Sequence, residues 1–206
     1  MSTSRFTADS SQALQDCVAD GGVAVFPTDT VYGLCCDPEN AAAVERLYAL
    51  KGRAQDKPAA ILCFSLAVAL TVLPDAGERT LAAIRALLPG PVTLLLANPG
   101  RRYPLAGGAL LGLRAIDVGL TLARPVLQSS ANHSAGQDAR VLDEVPASIR
   151  DGADLVVDGG ELPGVASTVI DLGGIDAGKN WSVVRQGALS EADLARALGR
   201  AVDGRW

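Results

Sequence analysis

A single histidine, His133, stands in a chain of 206 residues. One histidine excludes a multi-histidine metal site within one chain. It also makes a Ser-His-Asp triad a poor reading, because His133 shares one short loop with Ser130 and Ser134, and a catalytic base needs a geometry that sequence neighbours rarely provide. The common nucleotide loops are missing as well. Gly178-Lys179 is followed by Asn180, so there is no Walker A loop, and no G-x-G-x-x-G occurs. Any nucleotide must be held another way. No apolar run approaches the roughly 18 residues that span a bilayer; the longest, around Ala59 to Leu73, is broken by Ser65 and Thr71. Met1-Ser2-Thr3-Ser4-Arg5-Phe6 lacks the apolar core of a signal peptide. A soluble, cytoplasmic protein without a membrane partner is the expectation. The four cysteines, Cys17, Cys35, Cys36 and Cys63, form no C-x-x-C pair, and reduced, mostly buried thiols are expected. Basic runs are lacking too: Arg101-Arg102 is the densest pair, the net charge is −5 and the pI is about 4.9. Direct tRNA binding is therefore not expected, although a local basic cluster could still hold a phosphate.

What is present is globular. Hydrophobic residues make up 49% and charged residues 20%, enough for a real core in one domain spanning 1–206. Short apolar strands alternate with amphipathic helices. Ser10 to Asp20 reads as a helix stopped by Gly21-Gly22, and Val23 to Phe26 as a strand ending at Pro27. Val44, Leu47 and Tyr48 mark a helix from about Pro38 to Leu50, with Asp37 as its N-cap. Lys57 to Phe64 reads as a strand. Leu81, Ile84, Leu87 and Leu88 mark a helix ending at Pro89-Gly90-Pro91. Val92 to Ala97, Leu110 to Ala115 and Pro125 to Ser129 read as strands, and Leu142 to Arg150 as a helix. Leu155 to Val157, Thr168 to Ile170 and Val183-Val184 read as short buried strands. Ser190 opens a last helix with Asp193 in the capping-box position. Gly100 to Gly112 is the candidate flexible loop. The fold class expected is α/β, a twisted mixed sheet flanked by helices.

Four stretches carry chemistry. In Pro27-Thr28-Asp29-Thr30-Val31-Tyr32-Gly33-Leu34 the hydroxyls alternate, which on an extended chain projects them to one face; a strand rich in Thr and Tyr for β-propensity alone is the plainer reading. Lys51-Gly52-Arg53 with Lys57-Pro58 closes a helix. Its cations either complement the helix C-terminus or, across an extended turn, form a clamp for a polyphosphate. Ser129-Ser130-Ala131-Asn132-His133-Ser134 follows a strand, where α/β proteins place ligands, or is an ordinary Asx or Ser turn. Arg185-Gln186-Gly187 ends the last strand, as a ligand-facing or merely solvated arginine.

Taken in order, PTDTVYGL, K-x-R with a downstream Lys-Pro, PGPVT, SSAN, STVID and VVRQG resemble the YrdC/Sua5 family over about Gly21 to Gly187. The resemblance implies a YrdC-like twisted sheet around a concave, positively charged cleft. It implies condensation of L-threonine, bicarbonate and ATP to threonylcarbamoyl-AMP with release of pyrophosphate. The product goes to a separate tRNA threonylcarbamoyl transferase for t6A modification. By motif, Lys51 and Arg53 match the catalytic phosphate-holding pair, and Lys57 the basic residue after it. Ser130 and Asn132 match the nucleotide pocket, and Arg185 the late arginine that reaches the nucleotide. Thr30 and Tyr32 match the strand lining the cleft, Arg114 the arginine near the threonine carboxylate, and Ser167 and Thr168 the small polar pair. Mg²⁺ is expected with ATP, with Asp29 a candidate ligand or a fold-supporting residue. Two alternatives remain at this point: an ATP-dependent adenylating or carbamoylating relative with another acceptor, and a non-catalytic nucleotide- or RNA-binding paralogue.

The sequence departs from the family pattern in three places. The run after Arg114, Arg114-Ala115-Ile116-Asp117-Val118-Gly119-Leu120 with Pro125 close behind, is shorter than usual. Pro99 to Gly112 matches poorly. The chain stops at Trp206 without the further domain of the long Sua5 form, so it resembles the short form. The shortened stretch predicts an altered cleft wall with looser threonine selectivity. Asp117 is the expected partner if Arg114 is structural.

Overall fold

The structure is a computed structural model and describes residues 8–54 and 57–202. Met1 to Phe6 and Trp206, on which two of the expectations above rest, lie outside the described residues. Nine strands form one mixed sheet: β1 (Ala24–Pro27), β2 (Tyr32–Cys36), β3 (Ala60–Cys63), β4 (Val92–Ala97), β5 (Leu110–Ala115), β6 (Val126–Ser130), β7 (Leu155–Val156), β8 (Thr168–Asp171) and β9 (Ser182–Arg185). Their spatial order is β7-β1-β2-β6-β3-β5-β4-β8-β9. The pairs β1–β7, β3–β5 and β4–β8 are parallel and the other pairs antiparallel. This is the mixed α/β sheet that the alternating pattern predicts.

Side-chain alternation along the strands divides the molecule. Ile61 and Cys63, Leu94 and Leu96, Leu111 and Leu113, and Leu127 all point to the larger core. There they meet α2 (Ala41–Lys51), α3 (Leu66–Val72), α4 (Glu78–Leu87), α5 (Ala147–Gly152) and α6 (Glu191–Val202), through Leu47, Val72, Ile84, Ile149, Leu194 and Leu198 among others. The opposite face is only half covered. Leu14 and Val18 of α1 (Ala8–Ala19), with Ile116, Leu120 and Leu122, pack on Phe26, Cys35, Leu62 and Val126. Beyond that patch the same face carries Ala60, Thr93, Gly112, Arg114 and Gln128, and there it is a cleft.

Several local expectations need correction. Asn40, not Asp37, caps α2: its side chain accepts from Ala43 N at 3.1 Å, while Asp37 accepts from Glu39 N in the preceding turn. Ser65, read only as a break in an apolar run, caps α3 by accepting from Val68 N. Pro146 divides the expected helix at Leu142 to Arg150 into a 3-10 turn (Leu142–Glu144) and α5. β7 and β9 are edge strands, and Val156 and Val184 are exposed rather than buried. The capping box of α6 forms as predicted, Ser190 Oγ accepting from Asp193 N and donating to its carboxylate.

The shortened segment after Arg114 does not build the cleft wall. Ile116, Leu120 and Leu122 lie in the α1 core, and no residue from 116 to 125 lines the cleft. The expected loosening of threonine selectivity therefore has no basis in this fold. No helix among the described residues is long and apolar enough to cross a membrane.

The thiols supply a test of the packing. Cys35, Cys36 and Cys63 are fully buried; burial pushes Cys36 and Cys63 up to about 12 and Cys35 also well above its ordinary value. Cys17 is half-buried, and its thiol is raised by burial and by Asp154. A thiol-specific disulfide reagent at pH 8 should react with one cysteine at most in the folded protein and with all four after unfolding in guanidinium. Two or more fast-reacting thiols in the native state would contradict this packing.

Candidate functional site

The cleft has a volume of about 340 Å³, in the range of small-molecule sites. Arg53 comes from the turn after α2, Arg114 from β5 and Arg185 from the end of β9, and all three guanidinium groups line it. Asp138 is the one acidic side chain among the described residues lining it. A protein of net charge −5 thus concentrates cations in its one-sided cleft, where low-dielectric walls strengthen the field on an anion.

Arg114 is 4% exposed. Its Nη2 donates to Asp29 Oδ1 at 2.7 Å and Thr30 Oγ1 at 3.2 Å, and its Nη1 to Gln128 Oε1 at 3.1 Å. The partner of this buried charge is therefore Asp29, brought from the β1–β2 turn, and not Asp117. Burial pushes the Arg114 pKa down and the Asp29 pKa up, and in each case the opposite charge of the other counters it. Arg114 Nε and Asp29 Oδ2 are buried polar atoms without a hydrogen-bond partner. Such an orphaned donor, next to a cleft that Arg114 itself lines, marks a group whose hydrogen bonding the protein alone does not complete. Gly33 belongs to the same arrangement, since a Cβ there would meet Gln128 Nε2 at 2.9 Å and Phe26 Cε1 at 3.1 Å.

The turn carrying Asp29 is not an extended strand. Thr28 Oγ1 donates to Val31 O at 2.7 Å and accepts from the N–H groups of Thr30 and Val31. This hydroxyl turn delivers Thr30 to the cleft and Asp29 behind Arg114. Tyr32, expected on the cleft, is fully buried and does not line it. Its hydroxyl donates toward Asp158 and Gly160 O and accepts from Gly159 N. Thr168 is likewise withdrawn: its Oγ1 donates to Leu189 O and accepts from the N–H groups of Gly187 and Leu189. Its neighbour Ser167 does line the cleft, with Oγ 2.9 Å from Thr93 Oγ1 and its carbonyl accepting from Arg185 Nη2 at 2.8 Å. Gly187 passes so close to the backbone of Ala166 and Ser167 that a Cβ would collide with it.

The expected phosphate clamp divides in two. Arg53 lines the cleft and is braced by Lys57 O and Pro58 O. Lys57 is exposed and off the lining. Lys51 is 1% exposed and also off the lining. Its ammonium donates to Ser130 O, to Asn132 O at 2.8 Å and to Asn132 Oδ1 at 3.0 Å. A lysine has three such hydrogens, and all three are taken. Asn132 is equally engaged: Oδ1 also accepts from Ser130 Oγ, and Nδ2 donates to Gly136 O and Asp138 Oδ1. The pair Lys51–Asn132 braces the loop that presents Ser130 and Asp138 to the cleft. Thr30, Arg53, Arg114, Ser130, Ser167 and Arg185 are thus brought together, and Tyr32, Lys51, Lys57, Asn132 and Thr168 stand behind them. Thr93, Gln128 and Asp138 line the cleft without having been singled out from the sequence. Period-two alternation from Arg114 and Ser130 signals Gln128, and the PGPVT stretch contains Thr93. Nothing local signals Asp138.

Burial, with Arg53 adding and Asp138 opposing, pushes Lys51 down to about 8. Lys51→Met leaves buried carbonyls without a donor and should cost about 1–3 kcal/mol of stability, whereas Arg53→Ala should stay within about 0.5 kcal/mol. Between the depressed value near 8 and the ordinary 10.5, the unfolded chain binds the extra proton. The wild-type advantage over Lys51→Met should then widen as pH rises through that window. Denaturant melts of the three proteins at pH 7 and pH 9.5 check both statements. A Lys51→Met protein as stable as wild type would return Lys51 to the ligand side.

Comparison with known proteins gives the family. The Sua5/YciO/YrdC family model, described as "Telomere recombination", matches residues 16–187. A threonylcarbamoyl-AMP synthase of Pyrococcus abyssi is 29% identical over 193 residues, covering 88% of this chain and 55% of its own length. A putative threonylcarbamoyl-AMP synthase of Mycobacterium tuberculosis is 32% identical over 190 residues, covering 87% of this chain and 84% of its own. Among solved structures, P. abyssi Sua5 complexed with L-threonine superposes with a TM-score of 0.83 at 25% identity, over 95% of this chain and 59% of that one. The chain thus spans a little over half the length of the Pyrococcus relative. Matched over most of its residues in both sequence and fold, the chain belongs to the Sua5/YciO/YrdC family.

Proposed function

We propose that this chain is an L-threonylcarbamoyladenylate synthase, joining L-threonine, bicarbonate and ATP into threonylcarbamoyl-AMP and releasing pyrophosphate. The observation that carries the reading is the convergence of Arg53, Arg114 and Arg185 on one cleft, in a chain whose relatives bear that activity in their names. The substrates are two anions and a zwitterion, and three guanidinium groups on separate elements suit them. Arg114, with Thr30 and Ser167, takes the threonine carboxylate and hydroxyl. Arg53, Ser130 and Arg185 take the nucleotide. The neutral amine of threonine forms a bond to the bicarbonate carbon, the bond from that carbon to its hydroxyl breaks, and water leaves with the amine's proton, giving a carbamate. A carbamate oxygen then forms a bond to the α-phosphorus, the bond from that phosphorus to the bridging oxygen breaks, and pyrophosphate leaves with the electron pair. No protein nucleophile takes part, so the lone histidine is no obstacle. The protein's share is positioning and neutralising charge.

Mg²⁺ accompanies the nucleotide in this reading. No three His, Cys, Asp or Glu side chains cluster among the described residues, and Asp29 Oδ1 is committed to Arg114. Asp138 remains on the cleft wall, and one carboxylate with substrate phosphates and water is a ligand set magnesium accepts. Bound there, the ion would supply charge neutralisation to the phosphates. The product passes to a separate tRNA threonylcarbamoyl transferase in the cytoplasm.

Pyrophosphate release from ATP should require both threonine and bicarbonate, each omitted in turn. Equal release without threonine would point to a relative with another acceptor, and none under any condition to a binding module. In the same assay Arg114→Lys, which keeps the charge but loses the planar fork, should raise the threonine needed for half-saturation roughly tenfold or more. The ATP requirement should change far less. Unchanged threonine saturation would make Arg114 a purely structural partner of Asp29.

A further inference from the structure

One group in the cleft works against the nucleotide placed there. Asp138 is half-buried on the same wall as Ser130 and Arg53. Its Oδ1 accepts from Asn132 Nδ2 at 3.2 Å, and its Oδ2 has no protein partner among the described residues. None of the cleft arginines neutralises it. Arg53 donates to Lys57 O and Pro58 O, Arg114 to Asp29, Thr30 and Gln128, and Arg185 to Ser167. Lys51 is near enough to feel the carboxylate, but its three hydrogens are spent on the loop oxygens. The Asn132 bond holds the carboxylate in place instead of letting it turn away to solvent.

A carboxylate fixed on that wall without an ion-pair partner weakens the pull of the cleft arginines on a bare triphosphate beside it. The effect reverses when a hard dication lies between the two, since such ions take one or two carboxylates together with phosphate oxygens. We propose that Asp138 contacts the magnesium ion carried by the nucleotide, so that the cleft binds nucleotide more tightly as its magnesium complex than in the metal-free form. The inference rests on the nucleotide reading above and assigns the metal a protein ligand in that site. Asp29 does not line the cleft, and its Oδ1 is held by Arg114.

The test is calorimetric binding of ATP, without threonine or bicarbonate, in excess magnesium and in excess chelator. It compares wild type, Asp138→Asn, Asp138→Glu and the exposed-surface control Glu45→Gln. Asparagine keeps the acceptor for Asn132 and removes the charge. Wild type and the control should bind the magnesium complex about tenfold or more tighter than free ATP, the size of a charge-assisted contact. Asp138→Asn should lose that preference from both sides, binding the magnesium complex more weakly and free ATP more tightly than wild type. Asp138→Glu should keep the preference at reduced affinity, which also shows that the loop survives substitution. An Asp138→Asn protein with the wild-type preference would reduce Asp138 to a brace for Asn132 and overturn the proposal. If wild type binds ATP in neither form, the functional reading itself falls, and this inference with it.

Discussion

Lys51 ties the end of a helix to the end of a strand, and the site depends on that tie. Its ammonium stands where α2 stops at Gly52 and where β6 gives way to the loop at Ala131. By donating three times to the oxygens of Ser130 and Asn132, it fixes the direction in which that loop leaves the sheet. Ser130 and Asp138 reach the cleft because Asn132, held from behind, holds them in turn. A charge taken out of water is costly unless hydrogen bonds replace its hydration. Here they do, and the result is a rigid wall rather than a free cation. Arg114 shows the same logic on the floor: Asp29, Thr30 and Gln128 orient a buried guanidinium and leave its Nε without a partner.

How much of this was legible in the sequence varies with the kind of information. Strand existence was readable, because Val92 to Ala97 and Leu110 to Ala115 are apolar runs bounded by turn residues. The cap at Ser190 was readable from its spacing to Asp193. Caps at Asn40 and Ser65 were harder: Asp37-Pro38 offered a competing start for one helix, and Ser65 read only as a polar break in an apolar stretch. Thr30, Arg53, Arg114, Ser130, Ser167 and Arg185, drawn from separate motifs far apart in the chain, all line the one cleft.

Which member of each motif faces the cleft was not legible. Lys51 and Arg53 are two residues apart and look equivalent on paper, but Gly52 takes a left-handed conformation, φ 57°, and sends them to different places. Ser167 and Thr168 are neighbours on a strand, so one must turn away when the other faces the ligand. Tyr32 follows the same parity argument once Thr28 closes a turn instead of extending the strand. The Arg114–Asp29 pair spans more than eighty residues of chain, a separation that no local pattern encodes. The segment after Arg114 misled because its length was informative and its destination was not: it packs into the α1 core, on the cleft's own side of the sheet but beside the cleft rather than around it.

The half-covered sheet face has a thermodynamic side. Between the arginines the cleft floor is apolar, with Ala60, Leu95, Leu110 and Val169 lining it, and Leu110 is 37% exposed. In the free protein water lies on that floor. A ligand that covers it removes hydrocarbon as well as charge from solvent, and burial of hydrocarbon lowers the heat capacity of the complex. The enthalpy of association should then become more favourable with each degree of warming, even though the contacts that fix the ligand's orientation are ionic. Polar groups would decide where the ligand sits, and the dewetting of four aliphatic side chains would set how its binding heat responds to temperature.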